Sequence, residues 1–337
     1  MSDRRPGHPR RPRSTAELQE QLRTTRADIR QQVRTTRAQF DEANARLTAR
    51  SGRNLVFAIG FGVGLGAVVI LSLVIWKPLF VLVVMALVGF GTSELASALR
   101  SAGIRVPRIG AAVAGVVAIP IAAWASTPAG PDLGIEFGLP PRLPGGWLAA
   151  VLGAVVVALV WRLVQQAQRS VPGRALGRDL LVTAFVLLYV TGLGSSAAVL
   201  VLQPRGQWWA LSFIVLVVAS DVFAYATGLR LGKHKMAPRI SPGKTWEGFA
   251  GAAVATIVIG AALGPLLLDR PLWFGALFGA LILLTGTMGD LGESMIKRDI
   301  GVKDMSSWLP GHGGFLDRID SILPSAAAAL LLYLATT

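Results

Sequence analysis

The sequence predicts an all-α integral membrane protein with about nine transmembrane helices behind an N-terminal cytoplasmic amphipathic helix. Three observations predict it. Of 337 residues, 53% are hydrophobic and 15% charged, a balance too apolar for a soluble globular domain. Apolar segments of about 20 residues, long enough to cross a hydrocarbon core of about 30 Å, recur along the chain. The basic residues fall almost entirely into alternate connections between those segments.

Residues 1–14 are rich in Pro and Arg and read as a solvated tail rather than a cleaved leader. From Ser14 to about Arg50 the chain reads as helix and contains an eleven-residue near-repeat, LRTTRADIRQQ followed by VRTTRAQFDEA. Leu18, Leu22, Ile29, Val33, Phe40, Ala43 and Leu47 then form a narrow apolar stripe on an Arg-rich helix. Such a helix suits an anionic membrane surface, a second copy of itself, or a plain solvated extension. Residues 1–53 are accordingly one unit, an Arg-rich tail and amphipathic helix, and residues 54–337 a polytopic membrane domain.

The predicted spans lie near 54–76, 78–99, 106–126, 146–165, 179–202, 207–228, 247–268, 271–290 and 320–336. With the N terminus cytoplasmic, 29 of the 33 Lys and Arg residues face inward. Only Lys77, Arg142, Arg205 and Arg270 face outward, which supports a multi-pass protein of the cell (inner) membrane. The net charge of +14 therefore orients the chain and attracts anionic lipid or substrate, rather than marking a nucleic-acid binder. The absence of cysteine excludes disulfides and thiolate metal sites. The outer loop Thr127–Gly145, rich in Pro and Gly, reads as structural.

Two inner loops differ from the rest, one from Asp221 to about Gly248 and one from Asp290 to Asp320. Both mix carboxylates, Lys and Arg, hydroxyls and glycines, the groups needed for phosphoryl or nucleotidyl transfer from a metal-bound nucleotide. Asp290 ends span 8 in the apolar setting LLTGTMGD, and Asp317 and Asp320 open span 9. Two carboxylates at i, i+3 share a helix face and, with a third from the neighbouring helix end, suit Mg²⁺. Taken singly, they are also good helix-start carboxylates.

Lys297, Arg298, Lys303 and Arg318 are candidate phosphate ligands, although inner loops are basic in any case. Gly311, Gly313 and Gly314 flank His312 and let the backbone approach an anion. His312 suits donation to a phosphate or a proton shuttle. In the first loop, SPGKT invites a phosphate-loop reading that fails, because Pro238 stands where a Gly is required and no strand is expected before it. Ser241 and Thr245 read as caps of the next helix and Glu247 as its first-turn acid. Lys244 opposes that helix dipole unless an anion binds there. Asp221 and Tyr225, four apart, are either a polar pair on one helix face or part of the site.

The run Ser294-x-x-Lys297-Arg298, Lys303-Asp304-x-Ser306, Leu309-Pro310-x-His312-Gly313-Gly314 and Asp317-Arg318-x-Asp320 resembles the pattern of the phosphatidate cytidylyltransferase (CDP-diacylglycerol synthase) family without departure. The segment SPGKTWEG is similar to that family's second motif. The resemblance implies condensation of CTP with phosphatidate to CDP-diacylglycerol and pyrophosphate. It also implies Mg²⁺ on Asp290, Asp317 and Asp320, with a second cation left open. Lys297, Arg298, Lys303 and Arg318 would act on the triphosphate or the lipid phosphate. Ser241, Lys244, Thr245 and Glu247 would line the nucleotide side, with Ser294, Asp304, His312, Gly313 and Gly314 around the substrates. Family members are homodimers, which the resemblance carries over.

Two rival readings remain open at this stage. A CTP-dependent polyprenol or lipid kinase would use similar phosphate machinery but release CDP. A membrane transporter is allowed by the spans alone. Few charges lie at mid-membrane, no inverted repeat is evident and the polar chemistry gathers on one face, which all weigh against a transporter. A CDP-alcohol phosphotransferase is disfavoured because its D-G-x-x-A-R arrangement is absent.

Overall fold

The computed structural model describes residues 55–126, 145–167, 173–306, 308 and 313–336. The amphipathic helix predicted within 1–53, the Thr127–Gly145 loop up to residue 144, and Gly311 and His312 lie outside the described residues. The chain divides into two compact units, Met1–Val63 and Gly64–Thr337; apart from the helix that begins at Leu55, everything below concerns the second.

Helices follow the predicted spans closely. They are α1 (Leu55–Ile75), α2 (Lys77–Ser101), α3 (Arg108–Ser126), α4 (Gly146–Ala167), α5 (Gly173–Val186), α6 (Leu193–Leu202), α7 (Gly206–Leu231), α8 (Trp246–Leu263), α9 (Leu272–Asp299), the single turn α10 (Leu316–Ile319) and α11 (Ile322–Thr336). Leu187–Gly192 forms a π-helical turn between α5 and α6, and Gly264–Leu268 another after α8. Among the described residues, seven stretches are long and apolar enough to cross a membrane: α2, α3, α4, Ala175–Leu202, α7, Trp246–Leu268 and α9. The apolar parts described for the first and last predicted spans, Gly66–Ile75 and Ile322–Thr336, are shorter. At about 1.5 Å per residue Ile322–Thr336 reaches about 22 Å, short of a core of about 30 Å.

Outward faces confirm the membrane reading. Helix α4 buries Val151, Ala154, Val155 and Ala158 but exposes Leu152, Val156, Val160 and Trp161. In water such a stripe would be an association patch; in a bilayer it is the lipid-facing surface. Inside, α7, α8 and α9 pack side by side, α2, α3 and α4 do the same, and α6 and α11 pack together. Small residues permit the closest approach: a Cβ at Gly260, Gly275 or Gly279 would collide with backbone across the α8–α9 contact.

Both predicted inner loops begin inside a helix. Helix α9 runs to Asp299, so Asp290, Ser294, Lys297 and Arg298 lie on its final turns rather than in a loop. At 28 residues it spans about 42 Å, so its last turns clear the hydrocarbon. The hydropathic run stops at Asp290, but Leu291, Glu293, Met295 and Lys297 are good helix formers and continue the helix. Helix α7 likewise carries Asp221 and Tyr225 well inside it.

A short antiparallel hairpin follows, with β1 (Lys235–Ala237) paired to β2 (Ser241–Thr245). The sequence reading expected no strand here, and Ser241 opens β2 instead of capping a helix. Thr245 is the cap: its Oγ1 accepts the Gly248 amide at 3.1 Å. At the same end, Arg162 and Asp179 form a buried pair at 2.6 Å, and Arg162 also donates to the Arg105 carbonyl at 3.0 Å. Arg162, expected as a charge marking the inner face, is thus a clamp between α4, α5 and the α2–α3 connection.

Candidate active site

A cavity of about 450 Å³ opens among α7, β2, α8 and α9. Asp221 and Tyr225 come from α7, Ser241, Lys244 and Thr245 from β2, and Asp290 from α9. The sequence had placed all six in the site or beside it, and the hairpin is the element that gathers them. It brings Lys244 to 2.6 Å from Asp290, which also accepts from Ser294 Oγ at 3.4 Å. The floor is apolar, with Phe249, Ala252 and Leu283. A polar rim over an apolar base suits a ligand that carries charge at one end.

Glu247 lies outside the cavity lining and braces the hairpin. Its carboxylate takes the Lys233 amide at 3.1 Å, the His234 amide at 3.2 Å and His234 Nδ1 at 2.6 Å. Arg298 supports the same hairpin by donating from Nε to the Ile240 carbonyl at 3.3 Å.

Beside the cavity stands a second cluster. Lys297 bridges Glu293, at 2.6 Å, and Asp317, at 2.9 Å. Asp317 also accepts the Gly314 amide at 2.7 Å and the Met305 amide at 3.1 Å. Burial alone would push the Asp317 carboxyl up, but hydrogen bonds from Glu293, Gly314 and Lys297 outweigh it and hold it below the usual carboxylate value. Asp320 goes the other way. Burial, followed by the charge of Asp290, pushes it up to about 7, with the Ser321 amide opposing and Asp221 adding to the rise. Lys303 and Asp304 are exposed on the turn before Met305, and Arg318 is exposed between the two aspartates.

Among the described residues, no three carboxylates or imidazoles converge closely enough to hold a metal ion as they stand. Lys244 is on Asp290 and Lys297 on Asp317. The donor chemistry nonetheless fits a hard divalent cation. The donors are all carboxylate oxygens, and Asp320 feels the charges of Asp290 and Asp221, a repulsion that a cation relieves. Glu293 adds a fully buried carboxylate beside Asp317 and Lys297.

Sequence reasoning missed Glu293 and Glu94. Glu293 had a signal in its i, i+4 spacing to Lys297. Glu94 had a stronger one, as a lone carboxylate inside the apolar run of α2, where an ionisable group defaults to function.

Comparison with known proteins agrees with this chemistry. The cytidylyltransferase family matches residues 57–336. The phosphatidate cytidylyltransferase of Mycobacterium bovis is 39% identical over 293 residues, covering 85% of this chain and 90% of that protein. That of Mycobacterium tuberculosis is 39% identical, covering 85% of this chain and 84% of its own. That of Mycobacterium leprae is 36% identical over 292 residues, with 84% and 88% covered. With the match running from the first helix to the last, and the signature residues gathered at one end of α7, α9 and α10, the chain belongs to the cytidylyltransferase family.

Proposed function

We propose that this protein transfers CMP from CTP to phosphatidate, giving CDP-diacylglycerol and pyrophosphate for phospholipid synthesis. The observation that carries the reading is the cavity bounded by Asp221, Lys244 and Asp290, together with relatives that bear the phosphatidate cytidylyltransferase name over most of their length.

A phosphate oxygen of phosphatidate attacks the α-phosphorus of CTP in line with the departing pyrophosphate. One P–O bond forms as the α–β bridging bond breaks. A phosphate dianion is already nucleophilic, so positioning and charge neutralisation dominate and no dedicated general base is needed. Lys244 stands at the cavity wall, where a triphosphate would draw it from Asp290. Lys297, Arg298, Lys303 and Arg318 supply further positive charge to the triphosphate or the lipid phosphate. Ser241, Thr245 and Tyr225 offer hydroxyls to the nucleotide. Asp290, Asp317 and Asp320 would hold Mg²⁺, which neutralises charge on the triphosphate and on the leaving pyrophosphate.

The apolar spans keep the acyl chains in lipid while the head group meets CTP at the interface. The same reading takes nine spans, an inner-membrane location, a cytoplasmic N terminus and site, and a homodimer. The inward concentration of Lys and Arg supports the orientation.

The test is pyrophosphate release by detergent-purified protein given CTP, Mg²⁺ and phosphatidate, each omitted in turn, with the lipid product identified by mass. Release that needs all three, with CDP-diacylglycerol formed, is expected. Release of CDP instead of pyrophosphate, or turnover without phosphatidate, refutes the reading.

A further inference from the structure

Glu94 is 1% exposed on α2, 222 residues away in sequence from its most distant partner, and its carboxylate takes three neutral donors. Oε1 accepts Ser306 Oγ at 2.5 Å and the Phe315 amide at 2.9 Å; Oε2 accepts the Leu316 amide at 2.8 Å. On the opposite side of the same strand of chain, the Gly314 amide donates to Asp317 at 2.7 Å. The Gly313-Gly314 pair is therefore threaded between two carboxylates. A Cβ at Gly313, where φ is +77°, would lie 2.7 Å from Asp317 Oδ2, and one at Gly314 would lie 2.7 Å from Glu94 Oε2. Only glycine admits both carboxylates this closely.

Aromatic contacts press the same loop onto α2. Phe90, one turn before Glu94, stacks on Phe315 at 4.7 Å and meets Trp308 edge-on at 6.0 Å. Arg108 at the start of α3 covers Trp308 at 5.5 Å. If holding the loop were the whole task, this apolar packing would serve. A carboxylate buried at such depth is costly unless fully hydrogen-bonded, so its presence calls for something that only paired acceptor oxygens supply. Two parallel amide bonds from consecutive residues fix the direction in which the chain enters α10, and Asp317 is the next residue.

We infer that Glu94 is a positioning residue: from within a membrane-spanning helix it sets the Gly314–Leu316 backbone, and through it the aim of Asp317. The inference rests on the functional reading above, in which Asp317 serves the reaction. Among the described residues, none of the hydrogen-bond partners of Glu94 lines the cavity.

The test compares wild type with Glu94→Gln in detergent, by hydrogen exchange of the peptide spanning residues 313–316 and by steady-state pyrophosphate release with CTP and phosphatidate. Gln keeps the size but turns one acceptor into a donor facing an amide. The expected result is faster exchange confined to that peptide, with kcat down about tenfold or more and KM for CTP within about twofold. Exchange that is unchanged overturns the clamp, and faster exchange with wild-type kcat overturns the positioning role. A parallel loss in which KM for CTP rises as steeply as kcat falls also overturns it. If Glu94→Gln does not insert, Ser306→Ala removes one of the three bonds and carries the same two readouts, and wild-type values in both overturn the inference. Wild-type protein with no turnover refutes the functional reading instead, while the exchange arm still decides the clamp.

Discussion

Asp317→Asn is the most direct probe of the second cluster, because it removes one charge without changing size. In the wild-type protein Oδ1 takes the Lys297 ammonium at 2.9 Å, and Oδ2 takes the amides of Gly314 at 2.7 Å and Met305 at 3.1 Å. Asparagine can keep its oxygen on only one side. Facing Lys297, its amide nitrogen opposes two backbone N–H groups; facing those amides, it opposes the ammonium. At least one hydrogen bond to a charged group is lost either way, about 1.5–3 kcal/mol. If that loss falls on the transition state, kcat/KM drops about 10- to 100-fold from geometry alone. Removing a charge from the proposed cation site adds to this, so a fall of about 100-fold or more is expected. Size-exclusion of the detergent-solubilised variant checks folding, and pyrophosphate release gives the rate. A monodisperse variant within about threefold of wild type would refute the role given to Asp317.

Three further outcomes follow from the geometry. Lys244→Met should raise KM for CTP about tenfold or more, measured by initial rates, because it takes away the positive charge at the cavity wall. Asp179→Ala strands the buried Arg162 guanidinium and should cost about 3–5 kcal/mol; its detergent melting midpoint should fall while the folded fraction keeps its specific activity, since neither residue lines the cavity. The third concerns pH. Asp320, raised to about 7, stays largely protonated below that value and ionises above it. Ionisation of a raised carboxyl lowers the stability of metal-free protein as pH climbs from about 4 through 7. Cation and proton compete for the same oxygens, so half-saturating Mg²⁺, read from rate titrations, should fall as pH rises from about 6 to 8.

Much of the fold was legible because a bilayer imposes a length on every apolar run. Each predicted span corresponds to a helix, and Lys244, Lys297 and Arg298 from the predicted inner connections lie beside the cavity or its hairpin. The misplaced loop starts have one cause. Hydropathy reports where the hydrocarbon ends, not where a helix ends, so Asp221 and Asp290 read as loop starts although α7 and α9 continue for two or three turns. The hairpin at 235–245 was illegible for another reason: β1 is three residues long, and its stability comes from Glu247 and Arg298, which lie outside the strands. The site was legible where residues occur in a dense polar run. Glu94 escaped because its partners, Ser306, Phe315 and Leu316, follow it by more than 200 residues.

The pairing of charges also explains why acids and bases interleave in the signature. Lys297 and Asp317 stand 20 residues apart in sequence yet form one ion pair, and Lys244 and Asp290 do the same across the hairpin and α9. At the edge of a membrane, an unpaired carboxylate or ammonium that is partly withdrawn from water carries a penalty of several kcal/mol. A site built of carboxylates alone would repel itself, and the rise of Asp320, due first to burial and then to the charge of Asp290, is in line with this. A site built of lysines alone would behave likewise. Each sign placed against the other lets the folded chain hold both sets of groups in readiness. The partners they exchange for are those that the proposed reaction delivers together: phosphate oxygens for the lysines and a divalent cation for the aspartates.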